Sequence, residues 1–164
     1  MRVSKVVVPL VLSLVVGLTS PVVARGAEPP TGGAESPEAA VKAYLGGLKS
    51  GDFATAYDQL TPQMTRNQPK QNWVGEQTLV MKLGEVQISA FEVFPAHSEG
   101  ADKAKVPNLL KSKDKFINQT GADEYELYTV VRGADGRWRI DLQELVETDN
   151  VGKWFPPDVA KNKQ

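Results

Sequence analysis

The chain has 164 residues, with 19 lysines and arginines against 20 acidic residues, and it contains no cysteine. A formal net charge of −1 gives no electrostatic basis for binding nucleic acid or an anionic membrane. The lack of cysteine excludes disulfides, thiol catalysis, zinc–thiolate sites and the lipid-modified cysteine of a bacterial lipoprotein.

Residues 1–24 have the layout of a cleavable signal peptide. Arg2 and Lys5 precede an apolar run from Val6 to Leu18, and Val22-Val23-Ala24 supplies small residues for cleavage. The run is shorter than the roughly 20 residues that cross a bilayer, so a retained anchor is the weaker interpretation. We therefore expect an exported protein, periplasmic or secreted, with no stable membrane insertion after cleavage.

A single domain is expected over residues 36–148. Residues 25–35, which are rich in Pro, Gly and Ala, predict a flexible linker in front of it. Residues 149–164 form a C-terminal tail that is expected to be irregular. Its aromatic–proline stretch, Trp154-Phe155-Pro156-Pro157, either folds back on the domain or docks on a partner, and folding back is the simpler interpretation.

Helical signals come first in the domain. Ser36-Pro37-Glu38 provides an N-cap, a proline at the first helical position and an acid in the first turn. One apolar stripe follows at helical spacing: Val41, Tyr44, Leu45 and Leu48. Gly51 ends this helix, and Asp52 can cap a second one that runs to Thr61-Pro62. A weaker pattern predicts a third helix over about 69–83.

The next part of the chain predicts strands. Apolar positions alternate from Val86 to Ala90 and then shift by one residue to Phe91 and Val93, which indicates a β-bulge. Residues 102–119 predict one or two polar strands around Pro107. The lysines in this stretch indicate a solvated strand or loop edge.

The last part of the domain predicts a β-hairpin. Alternating positions from Tyr125 to Val131 lead into a turn at Gly133-Ala134-Asp135-Gly136, after which Trp138, Ile140 and Leu142 share one face. Glu124 and Glu126 are expected side by side on the solvated outer face, with weak calcium binding as the alternative. Helices followed by strands indicate an α+β domain, with N-terminal helices packed on one face of a curved antiparallel sheet.

Two stretches resemble the nuclear transport factor 2-like superfamily. Residues 36–62, SPEAAVKAYLGGLKSGDFATAYDQLTP, are similar to the opening helices of bacterial envelope members, and residues 135–141, DGRWRID, resemble the final hairpin of that fold. With the strands between them, the resemblance covers about residues 36–145. It implies a cone-shaped, cystatin-like topology with a conical cavity between the helices and the sheet.

The resemblance also implies which aromatic residues would line or border the cavity. The candidates are Tyr57, Trp73, Phe91, Tyr128 and Trp138. A place in the hydrophobic core is the competing interpretation for each of them.

The sequence offers no catalytic set and no cofactor or metal site. The single histidine, His97, lies beside Ser98 in a turn-forming stretch, and adjacent residues there do not supply the geometry of a Ser–His–acid triad. One histidine without cysteine also excludes the usual zinc and copper ligand sets. We therefore assign no catalytic residue and expect no cofactor.

Three hypotheses of function follow. The first is a non-catalytic binding module that holds a small apolar ligand or a peptide in the cone. The second is a small-molecule isomerase, dehydratase or cyclase that uses a carboxylate and a tyrosine, and a buried acid beside Tyr57 or Tyr128 would favour it. The third is a structural domain with a filled cavity, whose sheet face pairs with itself as a homodimer or with another envelope protein.

Overall fold

The computed structural model describes residues 32–161, and the predicted signal peptide lies outside the described residues. The described chain begins with helices and continues with strands, as predicted. The helices are α1 (Pro37–Ser50), α2 (Phe53–Asp58) and α3 (Lys70–Leu83). The strands are β1 (Gln87–Val93), β2 (His97–Ser98), β3 (Lys103–Lys113), β4 (Asp123–Arg132) and β5 (Trp138–Leu145). A C-terminal segment follows, with a 3₁₀ turn (Thr148–Asn150), α4 (Val151–Trp154) and α5 (Pro157–Lys161).

The corner between α1 and α2 forms where the sequence predicts it. The Ser36 hydroxyl accepts a hydrogen bond from the Ala39 N–H at 3.1 Å, and Asp52 accepts one from the Thr55 N–H at 3.1 Å. Gly51 lies between the helices at φ 78°, a left-handed conformation that favours glycine. Local capping chemistry therefore fixes both helix boundaries.

The sheet is antiparallel, with the order β1–β3–β4–β5, and β2 pairs with β3 beyond the end of β1. The register between β1 and β3 shifts between Ile88 and Ala90, which confirms the predicted bulge. A second shift separates Ile140, opposite Val130, from Leu142, opposite Thr129. Because adjacent residues of β4 point to opposite faces, Leu142 does not share a face with Ile140, and that prediction was wrong.

Residues 103–113 form one long strand inside the sheet. β3 lies between β1 and β4 and is largely buried, so the predicted polar edge was wrong. Pro107 is accommodated there because β1 ends beside it. The Pro107 carbonyl accepts a hydrogen bond from the Phe94 N–H at 3.0 Å, just beyond the end of β1. The Pro107 nitrogen points to the same side of β3, where β1 no longer continues, so the missing N–H breaks no hydrogen bond between strands.

The sheet is covered on both faces. Between the helices and the inner face lies the main core, which includes Val41, Leu45 and Ile140. The C-terminal segment covers the outer face, and the Phe155 ring lies 5.4 Å from Phe94 and 5.2 Å from Tyr125. Folding back of the tail is thus confirmed, and the tail is helical rather than irregular.

The chain ahead of α1 is also tied to the sheet. Ala34 pairs with Trp138 through backbone hydrogen bonds of 3.1 and 2.8 Å, and the Gly32 carbonyl accepts one from the Arg139 guanidinium. Within residues 32–161, no helix has both the length and the apolar character needed to cross a membrane.

Candidate functional site

A cavity of about 190 Å³ lies between the helices and the inner face of the sheet. Most of its wall is apolar, and both the N-terminal helices and the sheet contribute to it. The apolar lining includes Leu45 and Leu48 of α1, Val80 and Met81 of α3, and Leu110 of β3. The volume is smaller than the several hundred Å³ typical of ligand sites. It is comparable with engineered apolar cavities that hold a single ring.

The polar end of the cavity is built around Glu126. This β4 side chain lines the cavity, yet only 2% of the residue is exposed. Its Oε2 accepts hydrogen bonds from the Tyr128 hydroxyl at 2.8 Å and from Asn108 Nδ2 at 2.9 Å. Its Oε1 accepts one from Gln143 Nε2 at 2.6 Å. Three donors from three strands therefore fix the orientation of the carboxyl group.

Burial changes the acidity of this group. Desolvation raises the pKa of Glu126 from 4.5 to about 7, and the hydrogen bonds from Tyr128, Asn108 and Gln143 oppose this rise only in part. The donors are all neutral, so no positive charge compensates for the lost hydration. Glu126 can consequently exchange a proton near neutral pH, which is the range that general acid–base chemistry requires.

Two tyrosines lie beside Glu126 and keep their protons. Burial, followed by the Glu126 charge, raises the pKa of Tyr128 well above its ordinary value, and the same two causes raise the pKa of Tyr44. The two rings meet edge to face, with their centroids 6.1 Å apart. Both tyrosines therefore stay neutral hydroxyl donors at physiological pH.

Further carboxylates line the cavity beside this centre. Glu124 Oε1 accepts hydrogen bonds from the Ser112 hydroxyl at 2.5 Å and from Asn118 Nδ2 at 3.1 Å. Burial alone would raise the pKa of Asp114, but three backbone N–H donors hold it below its ordinary value. Asp114 is therefore charged at neutral pH.

Two of the five aromatic residues that were predicted to line or border the cavity are part of its lining, and three are not. Trp73 and Tyr128 are part of the lining. Tyr57 packs edge to face against Trp73, with ring centroids 5.7 Å apart, and its hydroxyl donates to the Gln68 carbonyl at 2.7 Å. Phe91 and Trp138 are half-buried and pack against the main core. These last three residues do not line the cavity, and a binding role for any of the five stays a prediction.

Sequence reasoning placed Glu126 on the solvated outer face, and that prediction was wrong. Glu124, Glu126, Tyr128 and Val130 point to the inner face, because their β3 neighbours across the register include the core residues Val106 and Leu110. The correct face could have been deduced from Tyr128, which was predicted to line the cavity. Glu126 lies two residues away in the same strand, and residues two apart in a strand share a face.

No metal site accompanies the carboxylates. Among the described residues, no group of three or more histidine, aspartate or glutamate side chains is placed to hold a metal ion. His97 is exposed and lies away from the cavity, where its ring packs 5.3 Å from the Trp154 ring.

Comparison with known proteins identifies the fold. No family model matches the sequence, and no curated protein sequence matches it significantly. Among solved structures, a domain of unknown function with a cystatin-like fold from Nostoc punctiforme is similar, with a TM-score of 0.50 and 11% identity over 76% of this chain and 88% of that chain. The chain has a cystatin-like fold.

The predicted α+β arrangement, with N-terminal helices packed on an antiparallel sheet, is therefore confirmed at the level of fold. A ketosteroid isomerase-like protein from Erwinia carotovora atroseptica is also similar, with a TM-score of 0.49 and 21% identity over 68% of this chain and 94% of that chain. Cystatin-like folds of this kind support unrelated activities, so function has to be argued from the cavity itself.

Proposed function

We propose that this protein binds a small, largely apolar molecule in the cavity between its helices and its sheet. The observation that carries the proposal is the cavity of about 190 Å³ with a largely apolar wall and one buried carboxyl group, Glu126. A pocket of this kind gains affinity from apolar contacts and specificity from a few fixed polar groups. A volume of this size fits a ligand of roughly a single ring.

A cavity-filling variant with a matched control tests this proposal. Val80 lines the cavity, whereas Leu79 beside it on α3 is 55% exposed and is not part of the lining. Val80→Trp should fill the space and abolish binding of single-ring fragments in ligand-observed NMR, and Leu79→Trp should leave binding unchanged. Failure of such fragments to bind the wild-type protein, or equal binding to Val80→Trp, would overturn the proposal.

A second candidate function is proton-transfer catalysis on a small molecule, as in an isomerase, dehydratase or cyclase. The observation that favours it is Glu126 at 2.8 Å from the Tyr128 hydroxyl, with a carboxyl pKa of about 7. A carboxylate with such a pKa can remove a proton from carbon, and the Tyr44 hydroxyl, which also lines the cavity, can donate a hydrogen bond to the charge that develops on oxygen. Exchange of deuterium from solvent into a bound ketone, lost in Glu126→Gln, would support catalysis. If the ketone binds but takes up no deuterium, catalysis is contradicted and the non-catalytic binding function stands.

We also propose that the protein is exported, on the strength of the charge and apolar pattern of residues 1–24. Mass spectrometry of the protein recovered from the culture medium or the periplasm is the direct test. A mature N-terminus near residue 25 is expected, and an intact N-terminus on protein retained inside the cell would contradict export.

A further inference from the structure

The cavity has an unusual charge pattern. Its charged lining residues are all carboxylates: Asp114, Glu124, Glu126 and Glu144. Within the described part of the chain, no lysine, arginine or histidine contributes to the lining. Glu144 lies opposite Leu127 in the register, so its carboxylate points to the outer face, where it pairs with Lys105 at 2.9 Å between Oε2 and Nζ, and it does not belong to the polar end of the cavity.

Glu126, the buried carboxylate in this set, has no positively charged partner among the described residues. Among the residues described, no basic nitrogen lies within 4.0 Å of Glu126, and its hydrogen-bond donors are two amides and a phenol. A buried carboxylate without a counter-ion is costly, because hydration is lost and nothing replaces it. A positively charged group that entered the cavity would remove this cost.

Most of the unused hydrogen-bonding capacity around Glu126 belongs to acceptors, although the Tyr44 hydroxyl remains a donor. Tyr128 already donates its proton to Glu126, which leaves its oxygen as an acceptor. Asn108, which is not part of the cavity lining, is fully buried and donates to Glu126, and its Oδ1 has no partner in the described structure. Glu124 accepts through Oε1. A ligand that donates hydrogen bonds therefore matches the acceptors of the lining, which are Glu124, Glu126 and the Tyr128 oxygen.

The rest of the wall suits a cation with an apolar body. The rings of Tyr44, Trp73 and Tyr128 line the cavity, and aromatic faces attract ammonium groups. The aliphatic part of the wall suits a hydrocarbon body. An anion would be repelled by the carboxylates and would meet no positively charged side chain in the described lining.

We infer that the ligand of this cavity is a compact organic cation: a protonated amine on an apolar body of about one ring, with the ammonium group bound at Glu126. The inference rests on the proposed binding function and specifies its ligand class. The ammonium group donates to the carboxylate, the body fills the aliphatic and aromatic part of the cavity, and neutral or anionic analogues of the same shape bind more weakly.

Three probes of matched size test the inference: benzylamine, benzyl alcohol and benzoate. They share one ring and differ mainly in charge, so their dissociation constants for the full chain can be compared by NMR titration at about pH 8, above the pKa of Glu126. Benzylamine should bind at least about tenfold more tightly than benzyl alcohol, because hydrogen bonds to charged groups are stronger than neutral ones. Benzoate should bind most weakly.

A substitution at Glu126 tests whether the preference for benzylamine over benzyl alcohol depends on its carboxylate. Glu126→Gln keeps the shape and should reduce the ratio of the benzylamine and benzyl alcohol constants to within about threefold. Glu92→Gln removes a charge from an exposed position of β1 and should keep the wild-type ratio. The wild-type ranking remains a test even if Glu126→Gln does not fold.

The outcomes separate the inference from the proposed function. Equal or tighter binding of benzyl alcohol to the wild-type protein would overturn the cation inference and leave small-molecule binding intact. A preference for benzylamine that persists in Glu126→Gln would also overturn it. Binding of none of the three probes would overturn both.

Discussion

Replacing Glu126 by glutamine should stabilise the protein relative to the wild type at mildly alkaline pH and have much less effect at mildly acidic pH. The folded chain keeps the Glu126 proton up to about pH 7, whereas the unfolded chain releases it near pH 4.5. Between these values the folded state binds more protons, so its stability falls as the pH rises. A glutamine at this position does not titrate, so the variant does not lose this part of the free energy of unfolding as the pH rises.

The magnitude follows from the two pKa values. They differ by about 2.5 pH units, and each unit corresponds to about 1.4 kcal/mol, so the full effect is about 3 kcal/mol. Between about pH 5 and pH 8, roughly 2 to 3 kcal/mol of this should be observed. Tyr44 and Tyr128 keep their protons throughout this range, because burial raises both pKa values.

Urea denaturation followed by circular dichroism measures the effect. The free energy of unfolding of Glu126→Gln minus that of the wild type should increase by about 2 to 3 kcal/mol from pH 5 to pH 8. Glu92→Gln, an exposed control on β1, should show no such increase. A difference for Glu126→Gln that stays constant within about 0.5 kcal/mol would refute the argument that desolvation controls this carboxyl group.

Three further predictions concern the fold. Phe155→Ala should lower the free energy of unfolding by about 3 kcal/mol, because the ring is 4% exposed between Phe94 and Tyr125, and a loss below about 1 kcal/mol in urea denaturation would contradict this packing. Leu45→Asp should leave the chain unfolded by circular dichroism, because it places an unpaired charge in the main core, and a folded spectrum would show that α1 faces another way. Ser36→Ala should cost about 1 kcal/mol through loss of the α1 cap, and an unchanged urea midpoint would argue against that cap.

Local signals in the sequence were sufficient for the helices. Ser36, Gly51 and Asp52 act through contacts within a few residues, so their roles can be deduced without knowledge of the tertiary structure. The bulge near Ile88 was also visible, because a shift in the apolar alternation is itself a local feature.

The face of β4 could not be deduced in the same way. Tyr125 and Leu127 are buried on the outer face because the C-terminal segment covers them, and Tyr128 and Val130 are buried on the inner face beneath the helices. With a core on each side, an apolar alternation does not reveal which face meets the helices. The side chain of Glu126 therefore points inward because the C-terminal segment, more than twenty residues further along the chain, covers the other face of β4.

The most direct test of the account is a crystal structure of the protein with benzylamine bound. Density for the ring is expected within the cavity lined by Leu110 and Trp73, with the ammonium nitrogen about 3 Å from a carboxylate oxygen of Glu126. Density confined to the protein surface, with the cavity closed by its own side chains, would contradict the claim that this cavity is the binding site.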